Sequence, residues 1–390
     1  MARQYGIALI GTGFMGGLHA RAFTLMPQVF PVAEAQPALR VVADVRADDA
    51  RAAAGRWGIP RWTADWASVL DNDDVDVVDI CTPPDLHRPI AEAAAAAGKH
   101  VYCEKPVGRN RAETEAIWQA VQRAGVASFV GFNYRWSPAV QYARELIASG
   151  RLGALRLVRI SFRTDNAADP SIPFTWRHSA AVAGFGALGD LGSHVFDMAR
   201  YLVGEIVEVC GRTDRSIGER PDPGESTAAA RREVDNDDSF ATLATFANGA
   251  SGVLEGSRVA TGSKGEFAFE VIGAAGAIRW DLPRINELRF YATEADPRER
   301  GFATIQTGPD HPPYGHFLPS PLGLGYAETK VIEAHAFLQG LARGRPVAPT
   351  IRDALAVARL LEAVAERRWV RLAEATGASP QDFGYPGLGR

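Results

Sequence analysis

Three short clusters bring together residue types that can do chemistry. The first is Gly11-Thr12-Gly13-Phe14-Met15-Gly16, which follows an apolar run at residues 7–10 and opens a helical stretch. In that setting Gly11 permits a tight turn, Gly13 lets a backbone approach a pyrophosphate, and Gly16 lets helix and strand pack closely. The helix N-terminus adds N–H donors and a partial positive charge. Glycine spacing alone marks only a turn; at the first strand–helix junction of a βαβ unit it points to dinucleotide binding. Asp44, ending the second strand, supplies a carboxylate for the adenosine ribose hydroxyls and repels a 2′-phosphate. It stands further along than the usual ~20 residues, an excess that a loop insertion over residues 27–37 accounts for. Arg46 is able to tolerate a phosphate, so the pair favours NAD and leaves NADP as the lesser choice.

The second cluster is Glu104-Lys105-Pro106, directly after a strand. Ligand crevices of open α/β sheets lie beyond the carboxyl ends of the strands. A lysine there can donate to a carbonyl or alkoxide oxygen and offset developing charge; an ordinary surface lysine is the competing reading. His87, opening a helix after Thr82-Pro83-Pro84, falls at the same end of the sheet, where the nicotinamide is expected.

The third is Gly189-Asp190-Leu191-Gly192-Ser193-His194. Asp190 and His194 are four apart, so on a helix they share a face. A histidine can take a proton near pH 7, and an aspartate can orient it or bind a substrate hydroxyl. The plain alternative is an exposed ion pair. Against it, Gly186, Gly189 and Gly192 are costly in an ordinary helix and imply a close approach to the backbone.

The elements that must position these groups follow a clear rhythm. Residues 6–10, 39–45, 75–81, 101–103 and 128–132 read as strands, with helices at 15–26, 86–97 and 112–124 between them. Such alternation predicts a parallel sheet covered by helices. The pattern then changes: a helix at 138–149, a strand at 155–162, a helix at 187–203, and long strands at 239–246, 252–259, 266–272 and 288–291. Neighbouring strands separated by turn residues, such as 246–250, predict antiparallel hairpins. Helices at 328–341 and 352–366 close the pattern. Residues 214–234, polar and rich in Gly, Pro and Arg, read as a mobile insertion. The fold class is therefore α/β in two domains, 1–131 and 132–390.

The 390 residues are 46% hydrophobic and 23% charged, with a net charge of -4. That balance argues against a nucleic-acid partner. Cys81, Cys103 and Cys210 form no C-x-x-C, and no His, Cys or carboxylate spacing resembles a zinc site, so no metal is expected. No G-x-S-x-G elbow occurs. His19 reads as structural, and His311 and His316 fall in a Pro/Gly-rich loop. With no secretion signal or membrane span in view, the expected location is the cytoplasm.

The three clusters, in this order, resemble the Gfo/Idh/MocA family of oxidoreductases. The resemblance covers essentially the whole chain, and its most specific parts are Glu104-Lys105-Pro106 and the Asp190-x-x-x-His194 pair. It implies an N-terminal Rossmann dinucleotide-binding domain and a C-terminal α/β domain with a large open, mostly antiparallel sheet. It also implies homodimers or homotetramers, and a cis Lys105-Pro106 bond. The family's catalytic residues map onto Lys105, Asp190 and His194. Gly11, Gly13, Phe14, Met15, Gly16, Asp44, Arg46, Thr82, Pro83, His87, Glu104, Lys105, Asn133, Trp176 and Arg177 fall on the cofactor side. Lys105, Tyr134, Arg135, Asp165, Trp176, Asp190, His194 and Tyr326 fall on the substrate side. The implied reaction is hydride transfer to NAD from a secondary hydroxyl, at C3 in the sugar-oxidising relatives, of a glucose-like sugar, anhydrosugar or cyclic polyol. His194 would take the proton while Lys105 holds the oxygen, or the two would share that role. The stretches at residues 173–177, 186–190 and 323–330 carry the sugar-dehydrogenase likeness; Arg163-Thr164-Asp165-Asn166 departs from the Leu-Gln-Asp-Trp of many such relatives. Within the family, an NAD-recycling glycosidase and a redox-dead NAD sensor are the rivals. Retention of Lys105 and His194 weighs against the sensor.

Overall fold

The computed structural model describes residues 2–224 and 230–372. The described residues divide into two compact units, 2–136 with 324–355, and 137–323 with 356–372. The first unit thus runs to Trp136 and takes in a segment, residues 324–355, that the sequence reading assigned to the C-terminal domain.

In the first unit, six parallel strands form one sheet: β1 (Arg3–Ile10), β2 (Ala35–Ala43), β3 (Arg61–Thr63), β4 (Val77–Ile80), β5 (His100–Cys103) and β6 (Ser128–Val130). Their order is β3-β2-β1-β4-β5-β6, the doubly wound arrangement in which a ligand crevice opens where the order reverses, beside β1 and β4. Ile7, Ala8, Leu9 and Ile10 are all buried, as a strand covered on both faces must be. The helices are α1 (Phe14–Val29), α2 (Ala47–Trp57), α3 (His87–Ala96) and α4 (Arg111–Ala124). The helix Tyr326–Ala342 packs against α1 and β2.

The expected loop insertion over residues 27–37 is overturned. Helix α1 continues through Pro27 to Val29, and Pro37 lies inside β2, paired with Tyr5. Proline is tolerated there because β2 pairs with β3 only from Val41 onward, leaving Pro37 on a free edge. Helix α2 and strand β3 were not anticipated: α2 is alanine-rich with few large apolar residues, and β3 is a short, mostly exposed edge.

In the second unit, β7 (Leu155–Thr164) and β8 (Ile206–Asp214) join seven further strands. Two others, β9 (Glu219–Pro221) and β10 (Arg231–Glu233), form a separate ribbon. The remaining sheet strands are β11 (Ser239–Phe246), β12 (Ser251–Ser257), β13 (Lys264–Gly273), β14 (Gly276–Asp281), β15 (Glu287–Ala292), β16 (Ala303–Gln306) and β17 (Val370–Arg371). The order is β16-β15-β14-β13-β7-β12-β11-β8-β17. Every pairing is antiparallel except β7 with β12. The β11–β12 hairpin turns at residues 246–250 as expected. Strands β12 and β13, adjacent in sequence, are not partners: β7 inserts between them. Burial alternates along β11, with Phe240, Thr242, Ala244 and Phe246 on the covered face. The helix Ser193–Val203 packs on β7 and β12.

The polar stretch 214–234 is more ordered than expected. Its described parts make the β9–β10 ribbon, and Arg220 is fully buried, donating to the carbonyls of Asp169 (2.9 Å) and Ala167 (2.5 Å). Residues 225–229, within the same stretch, lie outside the described residues.

Candidate functional site

In the first unit the glycine cluster does what its spacing requires. Gly11 has φ +103°, and a Cβ there would meet the Cys81 carbonyl at 2.7 Å. A Cβ on Gly16 would come within 2.0 Å of the Gly11 carbonyl oxygen. Gly13 is different: it faces open space, with nothing within 4 Å of a Cβ, and it caps α1 with no side-chain hydrogen bond to the first-turn amides. Gly13 and Phe14 are exposed beside those amides. A helix N-terminus left uncapped and approachable is suited to a pyrophosphate.

Asp44 stands one residue past β2. Its Oδ2 accepts from the Thr12 amide (3.0 Å) and hydroxyl (2.6 Å), and its Oδ1 from the Arg46 amide (3.1 Å). Partial burial works against its charge, but these hydrogen bonds, led by the Thr12 hydroxyl, hold its carboxyl below the usual range. The carboxylate is thus ionised and oriented beside the glycine turn, as ribose binding needs. The Arg46 side chain pairs with Asp49. Thr82 and Pro83 follow β4, and the Thr82 hydroxyl is buried with no hydrogen-bond partner among the described residues. These features fit a dinucleotide.

Lys105 is partly exposed after β5, and its bond to Pro106 is cis, as the resemblance implied. The side chains of His87 and Glu104 bond within the protein. His87 is buried, with Nδ1 3.0 Å from the Pro106 carbonyl and Nε2 2.8 Å from the Thr82 carbonyl. Each ring nitrogen faces a backbone carbonyl, and because burial pulls the His87 pKa below the usual value the neutral ring donates to one of the two, packed against Pro106 just after Lys105. Glu104 is also buried: Oε1 meets His19 Nε2 (3.0 Å) and Lys330 Nζ (2.5 Å), and Oε2 accepts from the Lys105 amide (3.2 Å). His19 Nδ1 in turn lies 2.9 Å from Asp79, and Lys330 lies 2.9 Å from Glu333, whose Oε1 also accepts from the Tyr102 hydroxyl. His19, Glu104 and Glu333 offer three donor atoms that could ring a metal ion, but the Lys330 ammonium already bonds both carboxylates. Sequence reasoning missed Asp79, Lys330 and Glu333. Lys330 is 226 residues from its partner Glu104, and no local pattern signals such a pair.

Asn133, Tyr134 and Arg135 follow β6 and are buried. Asn133 donates to Thr329 (2.9 Å), and the Tyr134 ring lies 5.6 Å from that of Tyr326. Burial pushes the Tyr326 phenol up to about 12.

In the second unit, Asp190 and His194 do not share one regular helix. Residues Leu188–Gly192 make a π-turn, and the α-helix begins at Ser193. Such widened turns gather at functional positions. Between residues 186 and 200, Asp190 alone is not buried. His194 is buried, its ring 6.0 Å from Phe162 and 6.4 Å from Phe267 on the sheet beneath. The close approach implied by the glycines comes from the protein itself. A Cβ on Gly186 would lie 1.9 Å from the Asp237 carbonyl oxygen, and one on Gly192 would touch Phe240 at 3.2 Å. Trp176 is partly exposed with Arg177 stacked on its ring at 4.2 Å. Asp165 is bound by Lys264 (2.7 Å) and the Gly262 amide (3.3 Å); the Lys264 ammonium holds its carboxyl below the usual range. His311 accepts from the Gly308 amide (3.2 Å) in its loop. The three cysteines are free, and no helix among the described residues is long and apolar enough to cross a membrane.

A doubly wound nucleotide-binding unit paired with a large mixed sheet defines the class. Residues 5–132 match the oxidoreductase family with an NAD-binding Rossmann fold, and residues 140–279 match the GFO/IDH/MocA C-terminal domain. The chain belongs to the GFO/IDH/MocA oxidoreductases. It is 42% identical to levoglucosan dehydrogenase of Pseudarthrobacter phenanthrenivorans, over 94% of this chain and 98% of that one. It is 29% identical to inositol 2-dehydrogenase of Rhizobium meliloti, over the same shares of each. Among solved structures, levoglucosan dehydrogenase in complex with NADH and levoglucosan superposes with TM-score 0.91 at 40% identity, covering 95% of this chain and all of that one.

Proposed function

We propose that this chain is an NAD-dependent dehydrogenase that oxidises a secondary hydroxyl, at C3, of an anhydrosugar or glucose-like sugar. The observation that carries the reading is the 42% identity to levoglucosan dehydrogenase over 94% of the chain, joined to an uncapped α1 N-terminus and an oriented Asp44. Lys105, Asp190 and His194 carry the chemistry in this reading. Lys105 donates to the substrate oxygen and offsets the charge that grows as its proton leaves. His194 receives that proton, and Asp190, partly exposed on its π-turn, binds the neighbouring hydroxyl. NAD, when bound, accepts the hydride at its nicotinamide ring. Asn133, Tyr134, Arg135 and Tyr326 of the first unit, and Trp176 and Arg177 of the second, are the further cofactor- and sugar-binding residues of this reading. A homodimer or homotetramer in the cytoplasm is the proposed setting.

The test is absorbance at the NADH wavelength with NAD and levoglucosan, glucose, 1,5-anhydroglucitol or inositols. Stoichiometric NADH with levoglucosan or a glucose-like sugar supports the reading, and the position of the ketone in the product checks C3. Silence across the panel with intact NAD binding overturns it.

A further inference from the structure

The segment that leads into Asp190 is held by one residue distant in sequence. Gly186, Ala187 and Leu188 are the first residues of that helical run, and their amides have no local side-chain cap. Asp237 takes all three. Its Oδ1 accepts from Gly186 (2.8 Å), its backbone carbonyl from Ala187 (2.9 Å), and its Oδ2 from Leu188 (2.7 Å). Gly186 in turn accepts from the Asp190 amide at 2.9 Å, so the grip passes directly to that residue. The contact is tight enough to exclude any side chain at Gly186.

The residues flanking Asp237 hold a second segment. Asn236 donates to the Arg177 carbonyl (3.0 Å), and Arg258 Nη1 donates to the same carbonyl (2.9 Å). Arg258 is bound by Asp238 (2.8 Å) and by Asn236 (2.9 Å). The triplet Asn236-Asp237-Asp238 therefore grips both the loop with Trp176 and Arg177 and the turn with Asp190. Helix N-termini need acceptors for their orphan amides, and a carboxylate there is favoured by the helix dipole. A carboxylate this buried, accepting two backbone amides while its own backbone carbonyl accepts a third, is more than a surface cap.

We infer that Asp237 is a positioning residue for the reaction, fixing the π-turn that presents Asp190 and begins the helix of His194. The inference rests on the catalytic reading of Asp190 and His194 given above. Asp237 meets neither substrate nor cofactor in this account; it acts through the backbone of residues 186–188. Losing it lets the turn shift by a fraction of a hydrogen-bond length or more, and misplacement of ~1 Å costs on the order of 100-fold in rate.

The experiment compares full-length Asp237→Ala and Asp237→Asn with the parent, using the sugar that the panel shows to be oxidised. NAD affinity is read by fluorescence quenching, and amide hydrogen exchange over residues 186–194 is followed in parallel. The expected result for Asp237→Ala is a kcat lower by about 100-fold, NAD affinity within twofold, and faster exchange at 186–190. Asp237→Asn, which keeps one good acceptor, should recover part of kcat. If Asp237→Ala does not fold, Asp237→Asn decides alone, with about a tenfold loss of kcat per NAD-binding site expected. Parent-like kcat in the folded variants, or unchanged exchange at 186–190, overturns the inference: a merely structural role lowers melting temperature and yield while leaving kcat per NAD site intact. His194→Ala run alongside separates the two readings. An inactive His194→Ala with a fully active Asp237→Ala sinks only the positioning role; a fully active His194→Ala sinks the catalytic reading beneath it.

Discussion

The ammonium of Lys330 lies 2.5 Å from Oε1 of Glu104, with both side chains buried. Around them His19 adds a second cation partner to Glu104, and Asp79 and Glu333 add carboxyl groups. Burial alone would raise the Glu104 pKa, but Lys330 and then His19 hold it far below the usual range. Glu333 is pushed up by burial, which favours its protonated form and limits the excess of negative charge. The network thus holds a fixed carboxylate one residue before Lys105.

Removing one member should be costly. Lys330→Met is expected to destabilise the protein by about 3–5 kcal/mol, because it leaves Glu104 buried with one cation fewer. Lys330→Met combined with Glu104→Gln should recover part of that loss, since the uncompensated charge goes with it. Chemical denaturation of both variants measures this. A double variant less stable than Lys330→Met would reject the account.

The same network gives stability a direction with pH. Burial opposes a charged His19, but the Asp79 carboxylate outweighs it and its pKa stands well above the ordinary value. A pKa higher in the folded state means stability fully present below the unfolded value of ~6.5 and lost as pH rises through the raised one. Glu333 contributes with the same sign, its loss beginning at lower pH. Glu104 contributes oppositely, but only in acid, where stability is lost as pH falls through its depressed value. The melting temperature should therefore decline from pH 6 to pH 9, and His19→Gln should flatten that decline. His19 supplies at most ~1.4 kcal/mol per pH unit. Equal slopes in the two proteins would remove His19 as the source.

How much of this was legible in the sequence depends on range. The Gly11–Gly16 turn could be read because strand, glycines and helix are contiguous. The β11–β12 hairpin could be read for the same reason. The order of the large sheet could not, since β7 reaches its place between β12 and β13 only through pairings about a hundred residues distant in the chain. Asp237 left a trace, the polar run Asp235-Asn236-Asp237-Asp238 immediately before a strand, but nothing local says that it grips residues 186–188. His87 and Glu104 could be placed at the carboxyl end of the sheet from position alone, but position does not reveal that their side chains bond to Thr82, Pro106, His19 and Lys330.

Gly13 and Gly16 should separate binding from folding. A methyl at Gly13 enters open space, and its φ of -67° suits any residue. Gly13→Ala should keep the parent melting temperature and weaken NAD binding by about tenfold, which corresponds to ~1.4 kcal/mol. Gly16→Ala drives a Cβ into the Gly11 carbonyl and should cost about 1–3 kcal/mol of stability. Calorimetric NAD titration with thermal melting checks both. Equal losses of stability in the two variants would contradict the assigned roles.

Asp44 should set the choice of cofactor. Asp44→Ala removes the acceptor that the Thr12 hydroxyl and amide orient, and with it the repulsion of a 2′-phosphate. KM for NAD should rise by about tenfold, while kcat/KM for NADP improves relative to NAD. A cofactor ratio equal to the parent's would show that Asp44 does not discriminate.

Lys105 should affect rate and leave cofactor affinity alone. It follows Glu104, whose Oε2 accepts from the Lys105 amide, and a cis bond joins it to Pro106, whose own carbonyl meets His87. The backbone that carries it is therefore fixed from both sides by buried groups, independently of the ammonium. Lys105→Ala should fold as the parent does and bind NAD within about threefold, a difference under ~1 kcal/mol. Its kcat should fall by about 100- to 1,000-fold, the scale of losing one donor to a developing oxyanion. Stopped-flow single turnovers, which isolate hydride transfer from product release, give the cleanest reading. Near-parent single-turnover rates in Lys105→Ala would remove the lysine from the chemistry and leave proton transfer to His194.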